Sequence, residues 1–569
     1  MEELISSSTK KNWEKLGVTE SDKKLCSRAN KMLSQKRIMP LEYFSKKENK
    51  NDIIVLLEKI TQLNCTIEEV IYSLAINLLK RHCLVEKKHV KIILKQYCCT
   101  MIEQLVEYPL PTNEQDLLGL IYQCLQKEGE KNKKGAYYTP LSVVEKMLKE
   151  ISLQKGQTFL DPCCGSGAFL LAVKKAQCHQ LFGIDKDPLA VFIAKCNLVL
   201  KFPNEIFQPQ IYLEDYLKKE ISALPRQFDF IVTNPPWGAL KEKEIFAMKE
   251  TFSCFLIKAY EQLKENGILH FLLPEAVMNV KAHRKLREFL LCHGNLKKIE
   301  YYNDMFSGVT TKFVSVLLEK TKSQNCISIK KEEKKVEIAP KEFYKTKNII
   351  FHFYTPQESD LLKKIQKKGA YTLSHSKWAL GIVTGNNKEK LYTNPKKGME
   401  KIYTGKEIKP YFLEPARHYI FYQRQALQQT AKEEYYRAKE KLVYKFISKK
   451  LVFAYDNTGS LFLNSANILI PSIPNMSIKT VMAFLNTPLY QFLYMCLFGE
   501  VKILKGNLLQ LPFPAISEQE NKWITEIAED ILKGKNQQKQ IIDEMVYDIF
   551  GLEQKEKEYI KKYFAEKKT

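Results

Sequence analysis

The sequence predicts an α/β protein. A doubly wound, mostly parallel sheet lies between a helical N-terminal region and a mixed α/β C-terminal region. Three observations predict it. Short apolar runs alternate with helical patterns from after Gly135 to about Lys320, the arrangement that builds parallel sheets. No Gly occurs between Gly17 and Gly119, and apolar residues there recur at helical spacing. From Phe351 to Pro514, short aromatic runs are broken by Gly, Asn and Pro, the punctuation of a separate domain with many turns.

Four segments follow, with boundaries at 1–115 (helical), 116–325 (sheet), 326–515 (mixed) and 516–569 (helical tail). In the first, DIIVLLEKITQLNCTIEEVIYSLAINLL from Asp52 to Leu79 reads as amphipathic helix. It carries no catalytic constellation, so a structural or partner-binding role is expected. KEGEKNKKG (127–135) is a polar hinge. The runs TFLD (158–161), LFGID (181–185), FDFIVTN (228–234) and ILHFLLP (268–274) read as buried parallel strands. The polar stretch 321–340 reads as a linker or an exposed hairpin.

The 569 residues carry a net charge of +24. Residues 321–510 hold 32 Lys and Arg against 15 Asp and Glu, which points to a polyanionic partner. The N-terminus has no apolar segment of signal-peptide type, and no run of 18 apolar residues predicts a membrane span. The 14 Cys include no CxxC pair, so reduced thiols, a cytoplasmic location and no structural metal are expected.

Two segments carry chemistry. In TFLDPCCGSGAFLL (158–171), a strand ends at Asp161 and a turn with Gly165 and Gly167 leads into a helix. Glycine there lets a ligand approach the backbone closely. Asp185, about twenty residues on in GIDKDP, ends a second strand where a carboxylate can accept from ribose hydroxyls. Asp215 in LEDYL follows a third. The second segment, FDFIVTNPPWG (228–238), runs a strand into Asn234, Pro235, Pro236 and Trp237. Two prolines stiffen the turn. The Asn234 side chain and the Pro235 carbonyl supply two acceptors, able to hold both hydrogens of a base amine and aim its lone pair. Trp237 offers a face on which a base can stack.

DPCCGSGAF resembles motif I of the amino-methyltransferases, (D/N/S)PxxGxGxF, and NPPW resembles their motif IV, (N/D/S)PP(Y/F/W). GAYYTP (135–140) resembles motif X, and DMFSGVTTKFVSVLLEK (304–320) resembles motif VIII. The order is similar to the gamma-class, TaqI-like N6-adenine DNA methyltransferases of restriction–modification type. GIVTGNN, KIYTGKEIKPYF, SLFLNSANILIP and LPFP loosely resemble their C-terminal specificity domain.

The resemblance implies a Rossmann-like class I S-adenosylmethionine-dependent methyltransferase domain at 116–325 and a target-recognition domain at 326–515. It implies cofactor contacts from Tyr138, Thr139, Pro140, Asp161, Cys163, Gly165, Gly167, Asp185, Asp215 and Phe255. Thr139 and Pro140 would meet the methionine end, Asp161 its amino group, Asp185 the ribose, and Asp215 and Phe255 the adenine. Asn234, Pro235, Pro236 and Trp237 would be catalytic, with Phe306 packing on the target base.

The expected reaction is transfer of a methyl group to N6 of an adenine flipped out of double-stranded DNA. A monomer is expected in a prokaryotic cytoplasm, bound to the nucleoid DNA, with a separate restriction endonuclease as possible company and no membrane. N4-cytosine methylation, RNA or protein-glutamine methylation, and an inactive DNA-binding subunit of a defence complex stay open beside it. Two other patterns are set aside. Pro162-Cys163 lies inside the glycine turn, away from where a cytosine C5 nucleophile would stand. Glu500-Val501-Lys502 has no upstream nuclease partner in a matching strand pattern.

Overall fold

A computed structural model describes residues 37, 44, 49–111, 114–127, 129–131, 139–218, 220–238, 248, 250–302, 312–346, 348–498 and 502–565. The described residues fall into two compact units, one running to His352 and the other starting at Phe353.

The first unit opens with helices α1 (Lys50–Gln62), α2 (Ile67–Arg81), α3 (Lys88–Tyr97) and α4 (Leu117–Leu125). The Asp52–Leu79 stretch expected as one apolar helical pattern is two helices. Thr66 breaks it: its hydroxyl accepts from Glu69 N at 3.2 Å, and its own N–H donates to Glu69 Oε2 at 2.9 Å. This reciprocal cap starts α2. Further on come α5 (Leu141–Leu148), α6 (Ala168–Ala172), α7 (Pro188–Lys201), α8 (Thr251–Glu261) and α9 (Arg284–Cys292).

The helices α1–α4 share a core with α7. Ile53, Leu56, Val70, Leu74, Ile121 and Ile193 are all buried in one cluster, and the rings of Tyr97 and Phe192 stack at 4.3 Å. Residues 50–125 therefore pack within the same compact unit as the sheet.

Nine strands form the sheet: β1 (Phe159–Asp161), β2 (Leu181–Asp185), β3 (Gln210–Leu213), β4 (Phe228–Thr233), β5 (Leu263–Pro274), β6 (Asn295–Tyr302), β7 (Phe313–Glu319), β8 (Ile327–Lys331) and β9 (Lys334–Ile338). Their order is β3-β2-β1-β4-β5-β7-β6-β8-β9. The first five are parallel, while β7 is antiparallel to both β5 and β6. The polar 321–340 stretch is the β8–β9 hairpin, paired in parallel to β6. It buries Ile327 and Ile329. The sheet thus continues past residue 325 to Ile338.

The second unit holds a four-stranded antiparallel sheet of β11 (Lys377–Leu380), β14 (Lys441–Lys445), β15 (Phe453–Asp456) and β17 (Ala466–Ile470). A three-stranded sheet joins β12 (Glu400–Tyr403), β13 (His418–Ile420) and β16 (Leu461–Phe462). A short pair joins β10 (Gly369–Tyr371) to β18 (Phe513–Pro514). Lys441 and Asp456 face each other across β14 and β15, 0% and 1% exposed, with Nζ 2.5 Å from Oδ2.

The C-terminal helices α13 (Glu518–Leu532), α14 (Lys539–Ile549) and α15 (Gln554–Ala565) pack into one core with α10 (Pro356–Lys368), α11 (Ile478–Asn486) and α12 (Pro488–Leu497). The tail from 516 is part of this unit's core.

Candidate active site

Parallel strands end on the same edge of a sheet, and that edge gathers the chemistry. β1 ends at Asp161, β2 at Asp185 and β4 at Thr233, with Asn234 next; β3 ends two residues before Asp215. In the glycine turn after β1, Gly165 has φ +53° and Gly167 φ +94°, conformations that residues with a Cβ resist. The turn is tied to the next strand. Gly165 N donates to Asp185 Oδ2 at 2.9 Å, and Cys164 N donates to Ile184 O at 2.9 Å. Asp187 N donates to Asp185 Oδ1 at 2.9 Å. The Asp185 carboxylate is only partly covered and each oxygen keeps a second lone pair for a ligand hydroxyl.

A chain of hydrogen bonds joins this turn to the Asn-Pro-Pro-Trp turn. Thr233 Oγ1 donates to Asp161 Oδ1 at 2.6 Å, and Cys163 N donates to the same oxygen at 3.2 Å. Cys163 Sγ lies 2.8 Å from Thr233 Oγ1 and donates to Asn234 O at 3.3 Å. From the other side, Asn234 Nδ2 donates to Thr139 Oγ1 at 3.1 Å. With its amide nitrogen committed to Thr139, Asn234 presents Oδ1 as its acceptor. Trp237 is half-buried, its ring 6.2 Å from Phe313, which stacks on Tyr302 at 5.5 Å.

Burial dominates the electrostatics. The Asp161 carboxyl is 1% exposed, and desolvation pushes its pKa up to about 7 against the pull of Thr233 and Cys163 N. Burial also raises Asp185. No Lys, Arg or His among the described residues forms an ion pair with either acid. A buried acid and a half-buried one, neither in an ion pair among the described residues, suit a cationic ligand that bears hydroxyls.

A pH dependence follows from Asp161. The unfolded chain gives up that proton near pH ~4, whereas the folded, ligand-free protein keeps it to about 7. Between these values the folded state binds more protons, so its stability falls as pH rises. Asp161→Asn removes this contribution, and urea unfolding at pH 5 and pH 7.5 should show a smaller decline than in the wild type. An equal decline in both proteins would contradict it.

Of the residues singled out in the sequence, Tyr138 and Phe306 lie outside the described residues. Thr139 and Pro140 are buried, and Thr139 meets Asn234 directly. The Asp215 carboxylate accepts from Leu217 N at 3.1 Å, closing its own turn. Phe255 is buried on α8 with its ring 5.2 Å from that of Tyr216, the neighbour of Asp215. Sequence reasoning missed Thr233, whose hydroxyl connects the two turns, and Asp116 and Tyr122, which reach the glycine turn and the β2 turn from α4. Thr233 stands directly before Asn234 and could have been noticed. The other two have no local signal.

Residues 113–362 match the family of N-6 DNA methylases, and residues 400–513 match the TaqI-like C-terminal specificity domain. The type II methyltransferase M.VspI of Vibrio sp. (strain 343) is 30% identical over 328 residues, covering 54% of this chain and 79% of that protein. The methylase subunit of the type I restriction enzyme EcoEI from Escherichia coli is 30% identical over 190 residues, 29% of this chain and 38% of its own. Among solved structures, the DrdV–DNA complex matches at TM-score 0.52 and 13% identity over 92% of this chain and 70% of that one. The type IIL restriction–modification enzyme MmeI in complex with DNA matches at TM-score 0.51 and 14% identity over 95% of each chain. These two likenesses concern the fold.

Proposed function

The chain belongs to the N-6 DNA methylase family, and on that footing we propose that residues 234–237 present the N6 amine of an extruded adenine for methylation. The protein is an S-adenosylmethionine-dependent DNA methyltransferase with a specificity domain at 400–513. S-adenosylmethionine supplies, when bound, a methyl group made electrophilic by its sulfonium. The protein's work is then to bind, orient and exclude water.

The observation that carries the reading is the hydrogen-bonded join between the two turns, in which Thr139 and Cys163 both reach Asn234. Asn234 Oδ1 and the Pro235 carbonyl accept the two amine hydrogens, localise the nitrogen lone pair and point it toward the glycine turn. Trp237 stacks on the extruded base and helps offset the cost of unstacking it, a few kcal/mol. Asp161 faces the cationic methionine end, Asp185 the ribose hydroxyls, and Asp215 with Phe255 the cofactor adenine. As the nitrogen takes the methyl, the C–S bond breaks with its electron pair left on sulfur, and the amine becomes cationic until it gives one proton to water. The two acceptors stabilise that developing charge.

We further propose that the chain acts as a monomer in the cytoplasm, as the modifying partner of a separate endonuclease. Base-modification sequencing of DNA from cells expressing the protein tests the whole reading. One methylated adenine within a fixed short motif is expected. Methylated cytosine, or unmodified DNA beside modified RNA or protein, would overturn it.

A further inference from the structure

Helix α4 carries Asp116, Gly119 and Tyr122 at intervals of three, which places them along one face. Asp116 is the cap of the helix, accepting from Gly119 N at 2.9 Å. It also receives Ser166 Oγ–H from the glycine turn, and Asn197 Nδ2 of α7 at 2.7 Å. Asn197 Nδ2 in turn donates to Ser166 O at 3.0 Å. Gly119 makes room for this: a Cβ there would come within 2.5 Å of Ser166 Oγ. One residue upstream, Gln115 Nε2 donates to Leu171 O at 2.9 Å, just beyond the turn. At the other end of the face, Tyr122 OH donates to Asp187 Oδ2 at 2.7 Å. Asp187 is the residue whose N–H holds Asp185 Oδ1.

We propose that α4 is a brace for the cofactor loops, with Asp116 and Tyr122 as positioning residues that set S-adenosylmethionine affinity without touching it. The proposal rests on the reading of 161–167 and 185–187 as the cofactor loops, and it assigns the helical region ahead of the sheet a task. Both loops approach the ligand through backbone and carboxylate groups, which must be held in place before binding. Asp116 fixes the glycine turn from behind, and Tyr122 fixes the turn that aims Asp185. Gln115, Asp116 and Tyr122 reach Leu171, Ser166 and Asp187, all on the cofactor side, so the brace should act on cofactor binding far more than on the chemistry.

The test uses the full chain, with S-adenosylmethionine affinity read by calorimetry and methyl transfer to DNA read at saturating cofactor. Tyr122→Phe removes only the hydroxyl, and should weaken cofactor affinity by roughly three- to tenfold. Its kcat and its KM for DNA should stay within about twofold of wild type. Asp116→Asn should weaken affinity by roughly tenfold or more. Ser166→Ala combined with it should add little, because both variants break one contact. Since Asp116→Asn could compromise folding, Tyr122→Phe decides the matter. A folded Tyr122→Phe protein with wild-type cofactor affinity, or one whose loss falls on kcat, overturns the brace. A wild-type protein that binds no S-adenosylmethionine would instead overturn the functional reading beneath it.

Discussion

Asn234→Ala should slow methyl transfer by roughly 10²- to 10³-fold, the usual cost of losing one polar group aimed at charge that develops in the transition state. Cofactor affinity should change far less than the rate, because the bond from Cys163 Sγ goes to the Asn234 backbone carbonyl at 3.3 Å, which the substitution keeps. The side chain holds a different place. Its Nδ2 donates to Thr139 Oγ1 at 3.1 Å, which selects the amide orientation in which oxygen, not nitrogen, meets the amine. Two graded variants separate the roles. Asn234→Asp keeps an acceptor and should retain more activity than Ala. Thr139→Val leaves Asn234 in place but lets its amide rotate, and should cost roughly tenfold, less than losing the acceptor itself. Rapid-quench transfer of labelled methyl groups to DNA at saturating cofactor reads all three. Equal rates for Asn234→Ala and wild type would remove this residue from the mechanism.

Lys441→Met should destabilise the second unit by about 3–5 kcal/mol, the range for breaking a buried pair and stranding the other charge. Lys441 and Asp456 are 0% and 1% exposed and 2.5 Å apart. Burial lowers the lysine pKa, so the ammonium depends on its partner. Lys441 Nζ also donates to Tyr436 O at 2.6 Å. Asp456 receives Thr458 Oγ1 at 2.6 Å and Ser460 N at 3.2 Å, so the same carboxylate shapes the turn into β16. Replacing both charges, as Lys441→Met with Asp456→Leu, should recover part of the loss. The recovery would be incomplete because the turn contacts are gone. Urea unfolding measures both variants, and a single-variant cost under about 1 kcal/mol would show that the pair is better solvated than its burial implies.

Much of the first unit was legible because its signals are local. Asp161, Asp185 and Asn234 each follow an apolar run, and all three stand at carboxyl ends of parallel strands. Glycines at 165 and 167 announced a turn, and both adopt positive φ. What escaped depends on distance along the chain. Ser166 and Asp116 are 50 residues apart in sequence, and Asn197 and Asp116 are 81 apart, so no window shows them as partners. The hairpin at 321–340 was one of two readings of that stretch, but its place in the large sheet escaped for another reason. An edge pair with one buried face alternates Ile with Lys and Glu, and in so charged a chain that alternation resembles a solvated linker. The break between α1 and α2 was hidden because Leu63 and Cys65 continue the apolar spacing. The reciprocal Thr66–Glu69 cap, visible as T-x-x-E, was the signal to weigh more heavily.

In the proposed mechanism, two acceptors at the turn 234–237 hold an exocyclic base amine for methylation. Nucleoside mass spectrometry of duplex DNA, incubated with purified protein and S-adenosylmethionine and then digested, tests it most directly. N6-methyladenine is expected from the wild-type protein, and almost none from Asn234→Ala. Methyl groups on a ring carbon such as cytosine C5, or N6-methyladenine at equal yield from both proteins, would contradict it.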